Sequence, residues 1–500
     1  MAASGQNNKE GRRPNSQSVH GVSIRNIGEI LLWQRMSASK GLNRRAFLSG
    51  LLLPVRGWAQ DNSVRVQIQP QSRLGRIPAD FIGLGYEVSS VSERGLLTAS
   101  NRAYVQFVRT LSPAGVIRIG GNTSDYASWS PGGPAVSSPK ATVVDRRGIR
   151  DLGTFLRATG WRLIWGFNLG RGTMDQAVDQ AMAVSAGAGG HLLAFEIGNE
   201  PDLFAGVHRP RNYSYSDYYA EYRRFKQAIR DKLPNAPFAG PDVIVHADWL
   251  EQFAAAEGPD LKLLTHHYYA EGPPDNPTST IENLLKPNPI LPGLLVRLEA
   301  ASRTARMPYR ICETNSCFGG GKPGVSDTMA AALWGLDFLF TLAQFNAAGV
   351  NMETGVNHLG FLSYYTPIGP EGARPLYYGM LAFSRASRGE RIPLTLDSAG
   401  LNIAAYAVRS DGGGIWLTLV NKEAARDASV RVSCPGIATA NVLRLTAPSL
   451  ASKKDVLLGG SPVGSAGKWA AGAGERLRAA GGELGVEVPA ASAVLLHLLG

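Results

Sequence analysis

Two glutamates at the ends of apolar runs have the right type and setting for acid–base chemistry. Glu200 follows a run that reads FEIGNEPD over residues 195–202, and the proline after it stops the strand. Glu313 lies inside the run YRICETN over residues 309–315. A buried carboxylate is costly unless it has a partner or a chemical task. The simpler interpretation of either residue is a salt bridge to a buried arginine, Arg118 or Arg310.

A pair of carboxyl groups can cleave a glycosidic bond in two ways, which the separation of the groups decides. At about 5–5.5 Å one carboxylate attacks the anomeric carbon while the other protonates the leaving oxygen. At about 6.5–9.5 Å a water molecule fits between them and attacks instead. The protonated group needs a raised pKa in both cases. The sequence does not set this distance.

Eight short apolar runs alternate with helix-like segments and would position these glutamates. This pattern predicts a closed (β/α)8 TIM barrel of the α/β class, with the polar strand ends gathered on one face. Glu200 would follow the fourth strand and Glu313 would lie on the seventh. The predicted strands are Phe81–Glu87, Val116–Gly121, Arg162–Asn168, Leu192–Gly198, Phe238–Val243, Leu263–Tyr269, Tyr309–Thr314 and Val350–Thr354.

The chain after the barrel changes to strand-like runs separated by turns rich in Gly, Ser and Asp, which predicts a C-terminal antiparallel β-sandwich. The predicted strands are Asn402–Val408, Ile415–Asn421, Ser429–Cys434, Asn441–Thr446 and Leu484–Leu499, with Ala451–Gly482 as a long loop. The early run Val64–Gln69 is expected to join this sandwich. The predicted domains are 1–59 (extension and signal), 60–79 (joining strand), 80–385 (barrel) and 386–500 (sandwich).

The net charge of +11 suggests a nucleic-acid partner, but its distribution argues against one. Residues 1–60 carry nine Lys or Arg and two Asp or Glu, which leaves 42 basic and 38 acidic residues for the rest. Arg44 and Arg45 precede a short apolar run, as in a twin-arginine export signal, so we expect a periplasmic or secreted protein. Met36 is an alternative start. We expect no membrane span in the mature protein.

Metal and cofactor chemistry has little support in the sequence. Cys312 and Cys317 flank Glu313, but no second pair or suitably spaced histidine accompanies them, so we interpret them as structural thiols. His266 and His267 are adjacent and would point to opposite faces of a strand, which makes them a poor pair of metal ligands. We therefore expect no metal and no cofactor, and the oligomeric state stays open.

Six segments in order along residues 64–385 resemble glycoside hydrolase family 79, which holds β-glucuronidases and heparanases. They are LSPA (111–114), RIGGNTSD (118–125), EIGNEPD (196–202), GPDV (240–243), HHYY (266–269) and ETNSCFGGG (313–321). The resemblance implies a retaining glycosidase with Glu200 as general acid/base and Glu313 as nucleophile. It also implies a partner that is a carbohydrate containing glucuronic acid.

The same resemblance assigns roles to further residues around the sugar that is bound at the −1 position. Asn199 would bind the sugar 2-OH, Tyr268 would donate to the nucleophile, and His266 would line the site. Glycine permits close approach of an anion, so the N–H groups of Gly319 and Gly320 would hold the glucuronate carboxylate. Other expected sugar contacts are Glu87, Asn122, Thr123, Phe318 and Asn357.

Three departures from the family pattern bear on specificity. Phe318 stands where family members often have tyrosine, and the segment at Asn357 lacks a tyrosine for which Tyr364 or Tyr365 would have to compensate. Residues 244–247 lack the basic side chains that heparanases use for sulfated chains. We therefore expect exo-cleavage of terminal β-linked glucuronic acid or its 4-O-methyl form. The alternatives are a heparanase-like endo-glycosidase, a metal-dependent hydrolase and a non-catalytic carbohydrate-binding barrel.

Overall fold

Eight parallel strands alternate with eight helices in the first part of the chain. The computed structural model describes residues 63–133, 142–355 and 363–500. The strands, called strands one to eight below, are Ile82–Glu87, Val116–Gly120, Arg162–Phe167, Leu192–Ile197, Ala239–Val243, Leu263–Glu271, Tyr309–Cys317 and Gly349–Glu353. The helices that follow them in turn are Arg102–Leu111, Arg146–Thr159, Met174–Ala188, Tyr215–Lys232, Ala247–Glu257, Leu291–Ala305, Met329–Gln344 and Pro375–Ala386.

The strands form one sheet that closes on itself. Its hydrogen-bonded order runs from strand four down to strand one and then from strand eight down to strand five. The two edges meet where Phe195 pairs with Phe238, and the Phe195 N–H donates to the carbonyl of Pro237 at 2.9 Å. The predicted (β/α)8 barrel is confirmed, and every predicted strand coincides with one of the eight.

Burial and capping explain why these segments take their forms. All five residues of strand two are buried, as expected for a parallel strand covered on both faces. The helix Arg102–Leu111 buries its apolar residues along one side. The helix Met174–Ala188 begins with a capping box, in which Thr173 and Gln176 each bind the other's backbone N–H.

The remaining strands form a two-sheet sandwich against the barrel. One sheet contains, in order, Gly75–Arg76, Gly389–Ile392, Ile403–Ser410, Ile415–Asn421, Ser492–Leu499, Thr439–Thr446 and Leu457–Leu458, with Glu475–Arg478 beside Thr439–Thr446. The other contains Leu394–Asp397, Val64–Ile68, Ala428–Ser433 and Glu483–Val488. Short pairs also join Ile368–Gly369 to Gly372–Ala373 and Ser128–Trp129 to Val143–Val144.

The sandwich differs from the sequence prediction in three details. The predicted strand Leu484–Leu499 is two strands in different sheets, because Pro489 lacks a backbone N–H and Ala491 has a positive φ of 53°. The predicted loop at 451–482 contains two short strands. Val64–Ile68 pairs in parallel with Ala428–Ser433, so the sandwich is not wholly antiparallel.

The sandwich contacts the barrel at the helix Met329–Gln344, which follows strand seven. Tyr406 stacks on Phe340 with ring centroids 4.8 Å apart, and its hydroxyl donates to Asp337 at 2.5 Å. Lys422 forms an ion pair with the same aspartate at 2.6 Å. These contacts fix the sandwich to a helix that supports the strand carrying Glu313. Across the described ranges, no helix has the length and apolar character that a membrane crossing requires.

Candidate active site

Glu200 follows strand four and Glu313 lies within strand seven, and both side chains point into the mouth of the barrel. Glu200 comes three residues after the end of strand four, in the left-handed region with φ of 50°. Its backbone N–H donates to the carbonyl of Asp242 at 2.9 Å, which ties this turn to the end of strand five. A glutamate in this backbone region is strained, and such residues cluster at functional sites.

An irregularity in strand seven brings Glu313 into the barrel. Ile311 pairs with His266 and Glu313 with His267, so Cys312 is an extra residue between the two pairs. Cys312 packs inside the barrel with residues such as Val116. Strict alternation would turn the next residue outward, but the extra residue lets Glu313 also face inward.

Arg118 on strand two connects the polar residues of the barrel interior. It is fully buried, and its guanidinium donates to four groups. These are Glu313 Oε2 at 2.6 Å, Asp242 Oδ2 at 2.5 Å, Asn199 Oδ1 at 2.8 Å and Glu196 Oε2 at 3.3 Å. The ion pair between Glu313 and a buried arginine, which was the simpler interpretation of this glutamate, is therefore present. It does not exclude chemistry, because the contact leaves the Glu313 carboxylate at the mouth of the barrel and orients it.

Both carboxylate oxygens of Glu313 accept strong hydrogen bonds. Arg118 binds Oε2, and the hydroxyl of Tyr269 donates to Oε1 at 2.9 Å. Hydrogen bonds that a charged form accepts favour that form and also fix its orientation. This arrangement suits a carboxylate that must act as an anion.

Glu200 is in the opposite electrostatic situation. Burial raises its pKa to about 7, and the nearby charge of Glu313 acts in the same direction. The hydrogen bond from His267 Nδ1 to Glu200 Oε1, at 3.0 Å, opposes the shift without cancelling it. Below about pH 7, Glu200 therefore mostly holds a proton that it can donate.

His267 and Asp242 form a charged pair beneath Glu200. Burial alone lowers the pKa of His267, but Asp242 and Glu313 reverse this and raise it well above its usual value. Burial likewise raises the pKa of Asp242, yet Arg118 and His267 lower it to about 2. The imidazolium then donates to Asp242 Oδ1 at 2.7 Å and to Glu200. Sequence reasoning missed both residues as members of the site.

The two glutamates are close enough to act on one atom. One oxygen of Glu200, one oxygen of Glu313 and one imidazole nitrogen of His267 all lie within 4.8 Å of one another. This spacing suits direct attack by a carboxylate better than attack by a water held between the groups. A metal ion could also use three such ligands. However, a cation there would have to compete with Arg118 for Glu313 and with the imidazolium proton for His267.

Glu87 ends strand one at the same mouth and is held by the loop that follows strand two. Its Oε2 accepts from the backbone N–H and the hydroxyl of Thr123 at 2.7 and 2.6 Å, and its Oε1 accepts from the Asn122 N–H at 3.2 Å. Burial and the charge of Glu313 nevertheless raise the pKa of Glu87. Thr123 thus orients Glu87 through its hydroxyl, while the Asn122 side chain is exposed.

The glycine run after strand seven forms an open loop. Gly319, Gly320 and Gly321 all have positive φ, of 73°, 91° and 82°. Within the described ranges the N–H groups of Gly319 and Gly320 have no hydrogen-bond partner, so they are available to an anion. Phe318 packs its ring edge-on to Tyr269 at 6.2 Å. The carbonyl of Gly320 accepts from the Tyr364 N–H at 2.6 Å, which anchors the loop.

The assignments of Tyr268 and His266 are wrong by one residue. Tyr268 stacks on Phe338 outside the barrel, and its hydroxyl accepts from Asn288 at 2.8 Å. His266 also faces away from the mouth, and burial lowers its pKa to about 3. Alternation along strand six instead turns Thr265, His267 and Tyr269 inward. The contact of Thr265 agrees with this direction, because its hydroxyl accepts from the Asp242 N–H at 3.1 Å inside the barrel.

Asn199 lies where it was predicted, beside Glu200. Its backbone N–H donates to Asp125 at 3.0 Å, and its side-chain oxygen accepts from Arg118. Its amide nitrogen has no hydrogen-bond partner among residues 63–133, 142–355 and 363–500, which leaves it free to donate. Asn357 and the predicted export signal lie outside the described residues.

Two sequence comparisons match this chain to glycoside hydrolases. Residues 405–495 match the glycosyl hydrolase family 79 C-terminal beta domain. A β-glucuronidase of Aspergillus niger is 28% identical over 61% of this chain and 63% of its own length. A heparanase of Bos taurus is 30% identical over 40% of this chain and 38% of its own length. The chain thus spans less than two thirds of the length of these relatives.

Solved structures share the architecture. A 4-O-α-L-rhamnosyl-β-D-glucuronidase from Fusarium oxysporum superposes with a TM-score of 0.74 at 19% identity, covering 87% of this chain and all of that one. An α-L-arabinofuranosidase from Thermotoga maritima gives a TM-score of 0.65 at 14% identity over the same shares. At these identities the likeness shows the fold alone.

Proposed function

We propose that this chain is a retaining exo-β-glucuronidase, which its match to the family 79 C-terminal domain and its similarity to β-glucuronidases and heparanases support. The observation that carries this proposal is the pair Glu200 and Glu313. Glu313 accepts hydrogen bonds from Arg118 and Tyr269, Glu200 keeps a proton up to about pH 7, and their oxygens approach within 4.8 Å. Opposite protonation states at this spacing are what double displacement requires.

The reaction follows from these protonation states. In the first step a Glu313 oxygen attacks the anomeric carbon, the bond from that carbon to the aglycone oxygen breaks, and Glu200 gives its proton to that oxygen. In the second step Glu200, now a base, takes a proton from water while the water oxygen displaces Glu313. Two inversions at one carbon give net retention. The free amide of Asn199 lies beside Glu200, where it can donate to the sugar 2-OH.

The preference for an acidic sugar rests on the glycine loop after strand seven. The unpartnered N–H groups of Gly319 and Gly320 are two neighbouring backbone donors in a left-handed loop, and successive backbone donors of this kind bind carboxylates. Phe318 supplies an apolar wall and no hydroxyl. We expect glucuronic acid or its 4-O-methyl form as the sugar released.

A heparanase-like endo-glycosidase is the second candidate, and the identity with bovine heparanase favours it. Residues 244–246 bear on the choice, since their backbone N–H groups all donate to Asp202 and hold this segment beside the mouth without basic side chains. This favours a short substrate over a sulfated chain. We also propose, from Arg44 and Arg45 alone, that the protein is exported by the twin-arginine route.

Hydrolysis of p-nitrophenyl β-glucuronide by the full chain tests the proposal, with the matched β-glucoside as the second substrate. We expect turnover of the glucuronide, little of the glucoside, and loss of both in Glu313→Gln and Glu200→Gln. Proton NMR during turnover should show the β-anomer of the product first. Cleavage of uronate oligosaccharides without any p-nitrophenyl release would favour the endo-acting enzyme. Carbohydrate binding without turnover of any of these substrates would favour the non-catalytic carbohydrate-binding barrel.

A further inference from the structure

A third glutamate lies between the strands that carry Glu313 and Glu87. Glu353 is the last residue of strand eight, which pairs with strand seven on one side and strand one on the other. It is 2% exposed, and its partner on strand one is Gly85. A side chain at position 85 would collide with Glu353 Oε2, so glycine there provides the room for this carboxyl group. Glu353 therefore points into the barrel, in a row with Glu313 and Glu87.

The carboxyl group of Glu353 is unsatisfied. Neither of its side-chain oxygens has a hydrogen-bond partner among the residues that the structure describes. Its backbone carbonyl, by contrast, accepts from the Asn315 amide at 2.9 Å, so the backbone position is well fixed. A buried carboxylate without partners is very unfavourable, whereas a protonated carboxylic acid costs far less and carries a donor. The mechanism above makes no use of this group.

The neighbouring charges also favour the protonated form. Burial raises the pKa of Glu353 well above its usual range, and the charges of Glu313 and Glu87 raise it further. Arg118 and His267 oppose this shift, but both already bind other carboxylates. The other titratable groups that face it are the phenols of Tyr86, Tyr269 and Tyr365.

We propose that Glu353 is a positioning residue of this site, a carboxylic acid that stays protonated between the carboxylates of Glu313 and Glu87. Its proton prevents a third negative charge next to the nucleophile. Its O–H has no acceptor among the described residues, so this donor is available to the neighbouring carboxylates when substrate binds. The inference rests on the proposed role of Glu313 as nucleophile. An additional anion here would also repel the carboxylate of a uronic-acid substrate, so protonation of Glu353 is part of what lets the site accept one.

Two substitutions separate this role from simple filling of space. Glu353→Gln keeps the shape and an N–H donor and cannot ionise, so we expect kcat and KM on p-nitrophenyl β-glucuronide within about threefold of the unmodified chain. Glu353→Leu has similar volume and no donor, so we expect kcat to fall at least tenfold with little change in KM. Equal activity of both variants would overturn the positioning role. Loss of activity in both, with melting temperatures retained, would show that the ionised form is the one required.

The melting temperature measured against pH tests the protonation state without any substrate. A group whose pKa is raised by folding destabilises the folded state as pH rises above the unfolded value, near 4.5 for glutamate. Glu353→Gln removes this effect. The melting temperature of the variant minus that of the unmodified chain should therefore grow between pH 5 and pH 8, by about 1–2 °C per pH unit. A constant difference would show that Glu353 is ionised and would overturn the proposal. If the chain turned over no glucuronide, the proposed function would be overturned and the positioning role of Glu353 with it. The melting temperatures measured against pH would still decide whether Glu353 is protonated.

Discussion

Removing the hydroxyl of Tyr269 should impair turnover without unfolding the protein. This hydroxyl donates to Glu313 Oε1 at 2.9 Å. Without it, Glu313 keeps only the hydrogen bond from Arg118. A hydrogen bond to a charged group contributes about 1.5–3 kcal/mol. If Tyr269→Phe loses that contribution in orienting the nucleophile, kcat/KM falls roughly 10- to 150-fold. The ring still packs against Phe318 and Tyr365, so we expect little change in the melting temperature.

The adjacent tyrosine is a matched control for this substitution. Tyr268→Phe removes the same atom one position away, where the hydroxyl contacts Asn288 outside the barrel. We expect kcat/KM of this variant on p-nitrophenyl β-glucuronide to stay within about twofold of the unmodified chain. Full activity of Tyr269→Phe, or equal damage from both substitutions, would refute the assignment of Tyr269 and the geometry of Glu313 that supports it.

Three further outcomes follow from the site. The pKa of Glu200 in the free enzyme is raised to about 7 and the acid must hold its proton, so kcat/KM should be steady below that pH and fall about tenfold per unit above it; a basic limb near pH 5 would contradict this. Gly320→Ala adds a side chain at a φ of 91° in the proposed carboxylate nest, so KM for the glucuronide should rise about tenfold. Gly324→Ala, with a similar φ of 79° in open space, should leave KM unchanged, and an equal effect of both would refute the nest. Dialysis against a chelator should leave activity intact, because Arg118 already neutralises Glu313; activity that returned only with added metal would overturn this.

The sequence was sufficient to predict the barrel because its signal is repeated. Each of the eight apolar strands is flanked by helix-like segments, and a single mistaken boundary would not have changed the fold class. The ends of strands four and seven also predicted Glu200 and Glu313 at one mouth. The break in the predicted strand 484–499 shows the limit of this approach, because one proline divided it between two sheets.

Side-chain direction was the part that could not be predicted reliably. Successive side chains of a strand point to opposite faces of the sheet. If the inward face is chosen wrongly, every site residue on that strand is assigned one position away from the correct one, as happened with His266 and Tyr268. The extra residue Cys312 breaks the alternation on strand seven, and no local pattern in the sequence predicts this irregularity. Arg118 was recognised as a possible partner of a glutamate, but its contact with four groups from three further strands depends on the closed barrel.

The covalent intermediate is the most direct test of the central claim that Glu313 attacks the anomeric carbon. A 2-deoxy-2-fluoro-β-glucuronyl fluoride slows the second step more than the first, so the sugar should accumulate on the nucleophile. After proteolysis of the full chain, mass spectrometry should find one fluoroglucuronyl group, attached to Glu313. A label on another residue, or inactivation without any label while the enzyme turns over normal substrate with inversion, would contradict the account.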